Sequence, residues 1–227
     1  MTFGRKLTAE ALGTIVLLAA VVGSGIMGER LSGGNVAIAL LANSIATGVA
    51  LVAITLALGS ISGAHLNPAV TLAVALERGI KWLEVPGYVA AQVLGAFAGV
   101  AAAHAMFGEP LFAASGHARA GGAQMFSELI ATFGLLSIIR GCSRARPEAV
   151  PFAVGSYITG AYWFTASTSF ANPAVTLARA ATNTFAGIRP LDVPGFIAAQ
   201  LTGALAATVL WSWLLPSLPK RNSVHGH

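Results

Sequence analysis

Asn67-Pro-Ala-Val-Thr-Leu-Ala73 occurs a second time, unchanged, as Asn172-Pro-Ala-Val-Thr-Leu-Ala178. Pro is tolerated in the first turn of a helix because the N–H it lacks would be unpaired there in any case. Asn immediately before it is a good cap. Each copy therefore reads as a helix start. The apolar runs that follow are short, at about 67–77 and 172–183, or roughly 16 Å of helix at ~1.5 Å per residue. That is half a bilayer, so neither segment can span alone.

Outward from these motifs the chain keeps repeating itself. Leu83-Glu-Val-Pro-Gly-Tyr-Val-Ala-Ala-Gln-Val-Leu-Gly-Ala96 returns as Leu191-Asp-Val-Pro-Gly-Phe-Ile-Ala-Ala-Gln-Leu-Thr-Gly-Ala204, with nine of fourteen positions identical. Gln92 thus pairs with Gln200, and Glu10 has a counterpart in Glu128. The chain is 56% hydrophobic and 9% charged, where a soluble domain carries about 25% charged residues. Residues 11–28, 31–76, 85–108, 149–178 and 193–219 hold no Asp, Glu, Lys or Arg. Six full spans follow, at about 8–27, 36–58, 85–106, 125–141, 149–167 and 192–215. The expected fold is an all-α membrane protein, one domain over 1–227, with six transmembrane helices and two re-entrant half-helices. Each half (about 8–106 and 125–215) holds three spans, an odd number, so the second is inverted relative to the first. Inverted repeats with interrupted helices place a solute site at the membrane midplane.

Nine basic residues fall on one side of this arrangement: Arg5, Lys6, Arg78, Lys81, Arg140, Arg144, Arg146, Lys220 and Arg221. Arg30, Arg119, Arg179 and Arg189 fall on the other. The positive-inside rule then puts both termini in the cytoplasm and the chain in the inner membrane. Arg5 and Lys6 precede an apolar run, but Gly23, Ser24 and Gly25 read as helix-packing residues rather than a cleavage site. The single cysteine, Cys142, excludes an internal disulfide. The net charge of +5 sits at span ends and does not suggest nucleic-acid binding.

With the halves inverted, the two half-helices start near the bilayer centre, each with a partial positive charge at its amino terminus. The Asn67 and Asn172 amides can donate into a lumen between them. Irregular backbone at this depth is tolerated where it is buried or lines water, and loops 59–66 and 168–171 can supply carbonyl acceptors.

Ser62-Gly-Ala-His-Leu-Asn-Pro-Ala-Val70 resembles the first signature loop of the aquaporin and glycerol-channel superfamily, and Phe170-Ala-Asn-Pro-Ala174 the second. The resemblance extends over nearly the whole chain. It makes Asn67, Pro68, Ala69, Asn172, Pro173 and Ala174 the pore motifs. It implies a right-handed six-helix bundle, a homotetramer with one pore per subunit, and passive conduction without cofactor or metal.

In most of that family the second motif is followed by Arg, one of four side chains in an outer filter. Here the position is Val175. Carrying the filter over by spacing gives Thr47, Gly160, Ser169 and Val175, a set with no ring and no fixed charge, hence wide and mildly polar. This departure resembles a rhizobial group of aquaporin-like channels found with arsenic-resistance genes. The implied solutes are water and neutral molecules of glycerol size, including arsenite and methylated arsenicals. Arg179, four residues after Val175, lies on the same helix face about 6 Å further out, where it either lines the mouth or snorkels to the surface. His65 is expected on the cytoplasmic half of the pore. Glu10, Glu128, Gln92 and Gln200 are expected to hold re-entrant backbone.

Two other functional classes fit less well. An intramembrane enzyme needs a nucleophile–base pair or a metal cluster, and the scattered histidines provide neither. A coupled transporter usually needs an acid at the midplane. A strict water channel with an unusual filter lacking Arg is the nearer alternative.

Overall fold

The computed structural model describes residues 1–215, all-helical apart from turns and loops. Lys220 and Arg221, counted above on the cytoplasmic side, lie outside the described residues. Eight α-helices follow in order: α1 (Phe3–Leu31), α2 (Val36–Ser62), α3 (Pro68–Leu76), α4 (Val85–Phe107), α5 (Gly122–Ala145), α6 (Val150–Phe164), α7 (Pro173–Arg179) and α8 (Val193–Leu214). Five of them, α1, α2, α4, α5 and α8, are long and apolar enough to cross a membrane. The helix α6 has 15 residues, roughly 22 Å. It ends at Phe164, short of the expected 167, because the chain must turn back through 165–171 to reach Asn172. The other short helix, α7, stops at Arg179 rather than near 183.

Local sequence sets the helix starts. The Asn35 side chain accepts from the N–H groups of Ala37 and Ile38 and caps α2. Asn67 caps α3 through Ala69 N–H, and Asn172 caps α7 through Ala174 and Val175. Pro68 and Pro173 stand in the first turns, as do Pro86 in α4 and Pro194 in α8.

Packing repeats between the halves. The helix α1 lies against α4, and α5 against α8, in the same way. A Cβ on Gly95 would fall 2.5 Å from the Ala11 carbonyl oxygen, and one on Gly203 would fall 2.3 Å from that of Leu129. Only glycine lets these helix backbones cross so closely. The short helices exchange places: Ala174, Val175 and Ala178 of α7 join the apolar cluster of α1 and α4. Ala69, Val70 and Ala73 of α3 join that of α5, α6 and α8. The side chains of Leu94, Val49, Val209 and Trp213 point outward and are exposed, as a lipid-facing surface requires.

Candidate functional site: a lumen between two capped half-helices

The first turns of α3 and α7 meet. Asn67 Nδ2 donates to the Ala171 carbonyl and Asn172 Nδ2 to the Leu66 carbonyl, each at 2.7 Å. With each Oδ1 committed to its own helix and one N–H to the opposite loop, the other N–H of each amide remains available. Both residues line one cavity of about 230 Å³.

The loops before these caps run in an unusual conformation. Ala64 and Leu66 have φ of 46° and 52°, and Ser169 and Ala171 have 50° and 47°. Non-glycine residues in this left-handed region cost about 1–3 kcal/mol each and persist only where surroundings over-determine them. Two buried carboxylates do so here. Glu10 accepts from the N–H groups of His65 (2.9 Å) and Leu66 (2.7 Å). Glu128 accepts from those of Phe170 and Ala171, both at 2.8 Å. Gln92 donates to Glu10 and Thr71, and Gln200 to Glu128 and Thr176. The four residues form one device built twice.

The helices contribute stripes spaced four residues apart. Leu135, Ile139 and Ser143 of α5 face the cavity, and so do Val154, Ile158 and Tyr162 of α6. His65 lines it too, with Nδ1 3.1 Å from Thr71 Oγ1 and its ring against Tyr88.

At the far end from Ser143, the cavity wall holds Thr47, Ser169 and Val175, but not Gly160. Gly160 is exposed on the outside of α6, with open space where a Cβ would stand. The spacing argument had assumed no offset over the residues between it and the second motif. Tyr162, two positions on, takes the inward place, its hydroxyl 3.3 Å from Thr47 Oγ1. Arg179 also lines the cavity and is only 2% exposed. It does not snorkel, because Nε is bonded to the Ala186 carbonyl and the guanidinium lies over the Phe170 ring. The cavity wall around Thr47, Ser169 and Val175 therefore also holds a phenol, a second aromatic ring and a fixed charge. The expectation of a ringless, chargeless set is corrected on this point. Tyr162 was detectable from the Val154–Ile158–Tyr162 spacing. Phe170 was detectable as the counterpart of His65.

Two short capped helices meeting at a lumen, inside a bundle of apolar helices, define a membrane channel. The chain belongs to the major intrinsic protein family, whose model matches residues 1–158. Membership makes it a multi-pass membrane protein that conducts rather than an enzyme. It is 56% identical over 216 residues to the aquaglyceroporin AqpS of Rhizobium meliloti, covering 95% of this chain and 92% of that protein. It is 34% identical to the maize aquaporin NIP2-3, over 91% of this chain and 70% of that one. The X-ray structure of the aquaglyceroporin from Plasmodium falciparum superposes with a TM-score of 0.69 over 94% of this chain and 95% of that chain. At 21% sequence identity that likeness speaks for the fold alone.

Proposed function

We propose that the chain is an aquaglyceroporin-like channel passing water and small uncharged polyols through the cavity between Asn67 and Asn172. Neutral arsenic acids, arsenite and its methylated forms, belong to the same size and hydrogen-bonding class. The observation that carries this reading is the composition of the wall. The wall combines apolar side chains, Val175, Phe170 and Ile158, with polar ones, Thr47, Tyr162, Arg179 and Ser169, and Ser169 Oγ is buried without a partner among the described residues. A triol with a hydrocarbon edge suits such a mixed lining. The Asn67 and Asn172 amides and the two helix dipoles then offer donors and positive potential at the midplane, which disfavours cations.

In this reading α6 completes six membrane-crossing helices, and α3 and α7 are the re-entrant halves of an inverted repeat within one domain. Both termini are cytoplasmic, in the inner membrane. The ion pairs Lys6–Glu84 and Arg140–Glu77 belong to the basic side of the charge count, and Arg30–Glu109 and Arg189–Asp192 to the other. The assembly is a homotetramer with one pore per subunit, a reading supported by family membership.

Proteoliposome swelling tests the proposal. Glycerol should enter at the same rate with and without an imposed proton gradient. Uptake that follows the gradient identifies a coupled transporter. Tyr162 and Arg179 favour one rival, a strict water channel, which conducts water while excluding glycerol.

A further inference from the structure

The charge missing beside the second motif returns one helical turn outward. Arg179 is 2% exposed, and its Cζ stands 3.4 Å from the centroid of the Phe170 ring. No ion pair joins it to a carboxylate among the described residues. A buried guanidinium is costly unless its donors are satisfied. Nε is satisfied by the Ala186 carbonyl. The terminal nitrogens belong to a side chain on the cavity wall.

The ring that carries Arg179 is itself held in place. Phe170 N–H is fastened to Glu128 at 2.8 Å, and its ring meets Phe196 edge-on at 5.3 Å. A second guanidinium, Arg119, stands 5.0 Å from the same ring. Its own donors go to the Gly187 and Ser167 carbonyls and to Thr168 Oγ1. Arg119 is thus a structural tie between the outer loop and the re-entrant segment, and Arg179 is the cation presented to the lumen. Val175, one turn inward, leaves the space into which that charge acts.

We infer that Arg179, stacked on Phe170, is the charge-selecting residue of this channel: it excludes cations at the outer end of the lumen, with Phe170 as its positioning residue. The inference rests on reading the cavity as a solute channel. Absence of water and glycerol flux in wild-type vesicles overturns that underlying reading, before any variant is compared.

The experiment uses proteoliposomes of the full chain, with potassium leak read beside water and glycerol flux. Arg179→Ala should raise potassium leak roughly tenfold or more, since it removes a fixed positive charge from the lumen wall. Water and glycerol flux, read on the same vesicles, report that the variant is folded and conducting. Phe170→Leu should raise the leak by a smaller factor, and Phe170→Tyr, which keeps the ring, should restore exclusion. To separate charge selection from folding, a second arm adds Val175→Arg to Arg179→Ala. The double variant should regain cation exclusion, which a merely structural role for Arg179 does not allow. A variant that conducts water normally and leaks no more potassium than wild type overturns the inference. So does a double variant that stays as leaky as Arg179→Ala.

Discussion

Tyr162 stands with its hydroxyl 3.3 Å from Thr47 Oγ1, joining α6 to α2 at the end of the lumen far from Ser143. In the proposed reading the phenol narrows a passage that Val175 leaves open beside the second motif. Tyr162→Ala should widen it and raise glycerol flux several-fold over wild type, with a smaller change for water. Gly160→Ala, on the open outer face of the same helix, should leave both fluxes unchanged. Stopped-flow light scattering on matched vesicles reads the two variants. An effect of Gly160→Ala as large as that of Tyr162→Ala contradicts the placement of α6.

Glu128 and Glu10 hold strained loop backbone rather than a solute. Glu128→Gln turns one acceptor oxygen into a donor facing N–H groups at Phe170 and Ala171. Each buried group left unpaired costs about 1–3 kcal/mol. Thermal unfolding in detergent should show a clear loss of stability, and Glu10→Gln a similar one, because its bonds to His65 and Leu66 match. A variant as stable as wild type removes these carboxylates from the structural role assigned to them.

The two short Asn-capped helices and the paired Glu and Gln were legible because their signals are local and occur twice. Asn-Pro caps a helix wherever it falls, and symmetry supplied the rest. The cavity wall around Thr47 and Val175 was not legible to the same extent. Gly160 was placed by counting through twelve residues, whereas the inward direction of α6 is set by its packing against α2 and α5. Arg179 was ambiguous because its burial depends on the returning loop. Ile188 N–H reaches the Arg179 carbonyl at 3.2 Å and Ala186 accepts from Nε, contacts that helical periodicity does not encode. The exact end of α7 was lost for the same reason.

His117, in the loop between α4 and α5, gives a pH test. Partial burial first, then Arg119 and Arg179, push its imidazole below its ordinary 6.5, with Glu29 acting weakly the other way. A depressed value means that the unfolded chain binds this proton more readily than the folded one. Its effect is absent above 6.5, and stability is lost as pH falls below that value towards the folded one. Melting temperatures of wild type and His117→Gln should therefore agree at neutral pH and separate on acidification, the variant losing less. Parallel curves throughout contradict the depressed value.

Cys142 is half-buried and is not among the residues lining the cavity, although its neighbour Ser143 is. Ser169 holds the wall position beside the second motif. Mercurials should therefore inhibit solute flux only weakly, and Cys142→Ser should respond as wild type does. Strong block that disappears in Cys142→Ser places the sulfur in the conducting path.

In the proposed reading, the lumen passes neutral solutes larger than water because Val175 leaves room beside the second motif. Val175→Arg fills that room with a long cation one turn inward of Arg179, which narrows the passage and adds fixed donors suited to water. The most direct measurement is the ratio of glycerol to water permeability, by stopped-flow light scattering, in wild-type and Val175→Arg proteoliposomes. Substantial glycerol flux is expected in wild type, with a ratio lower by about tenfold or more in the variant, the factor that ~1.4 kcal/mol of added barrier produces. Wild-type vesicles that conduct water but exclude glycerol contradict it, and leave a strict water pore with an unusual constriction.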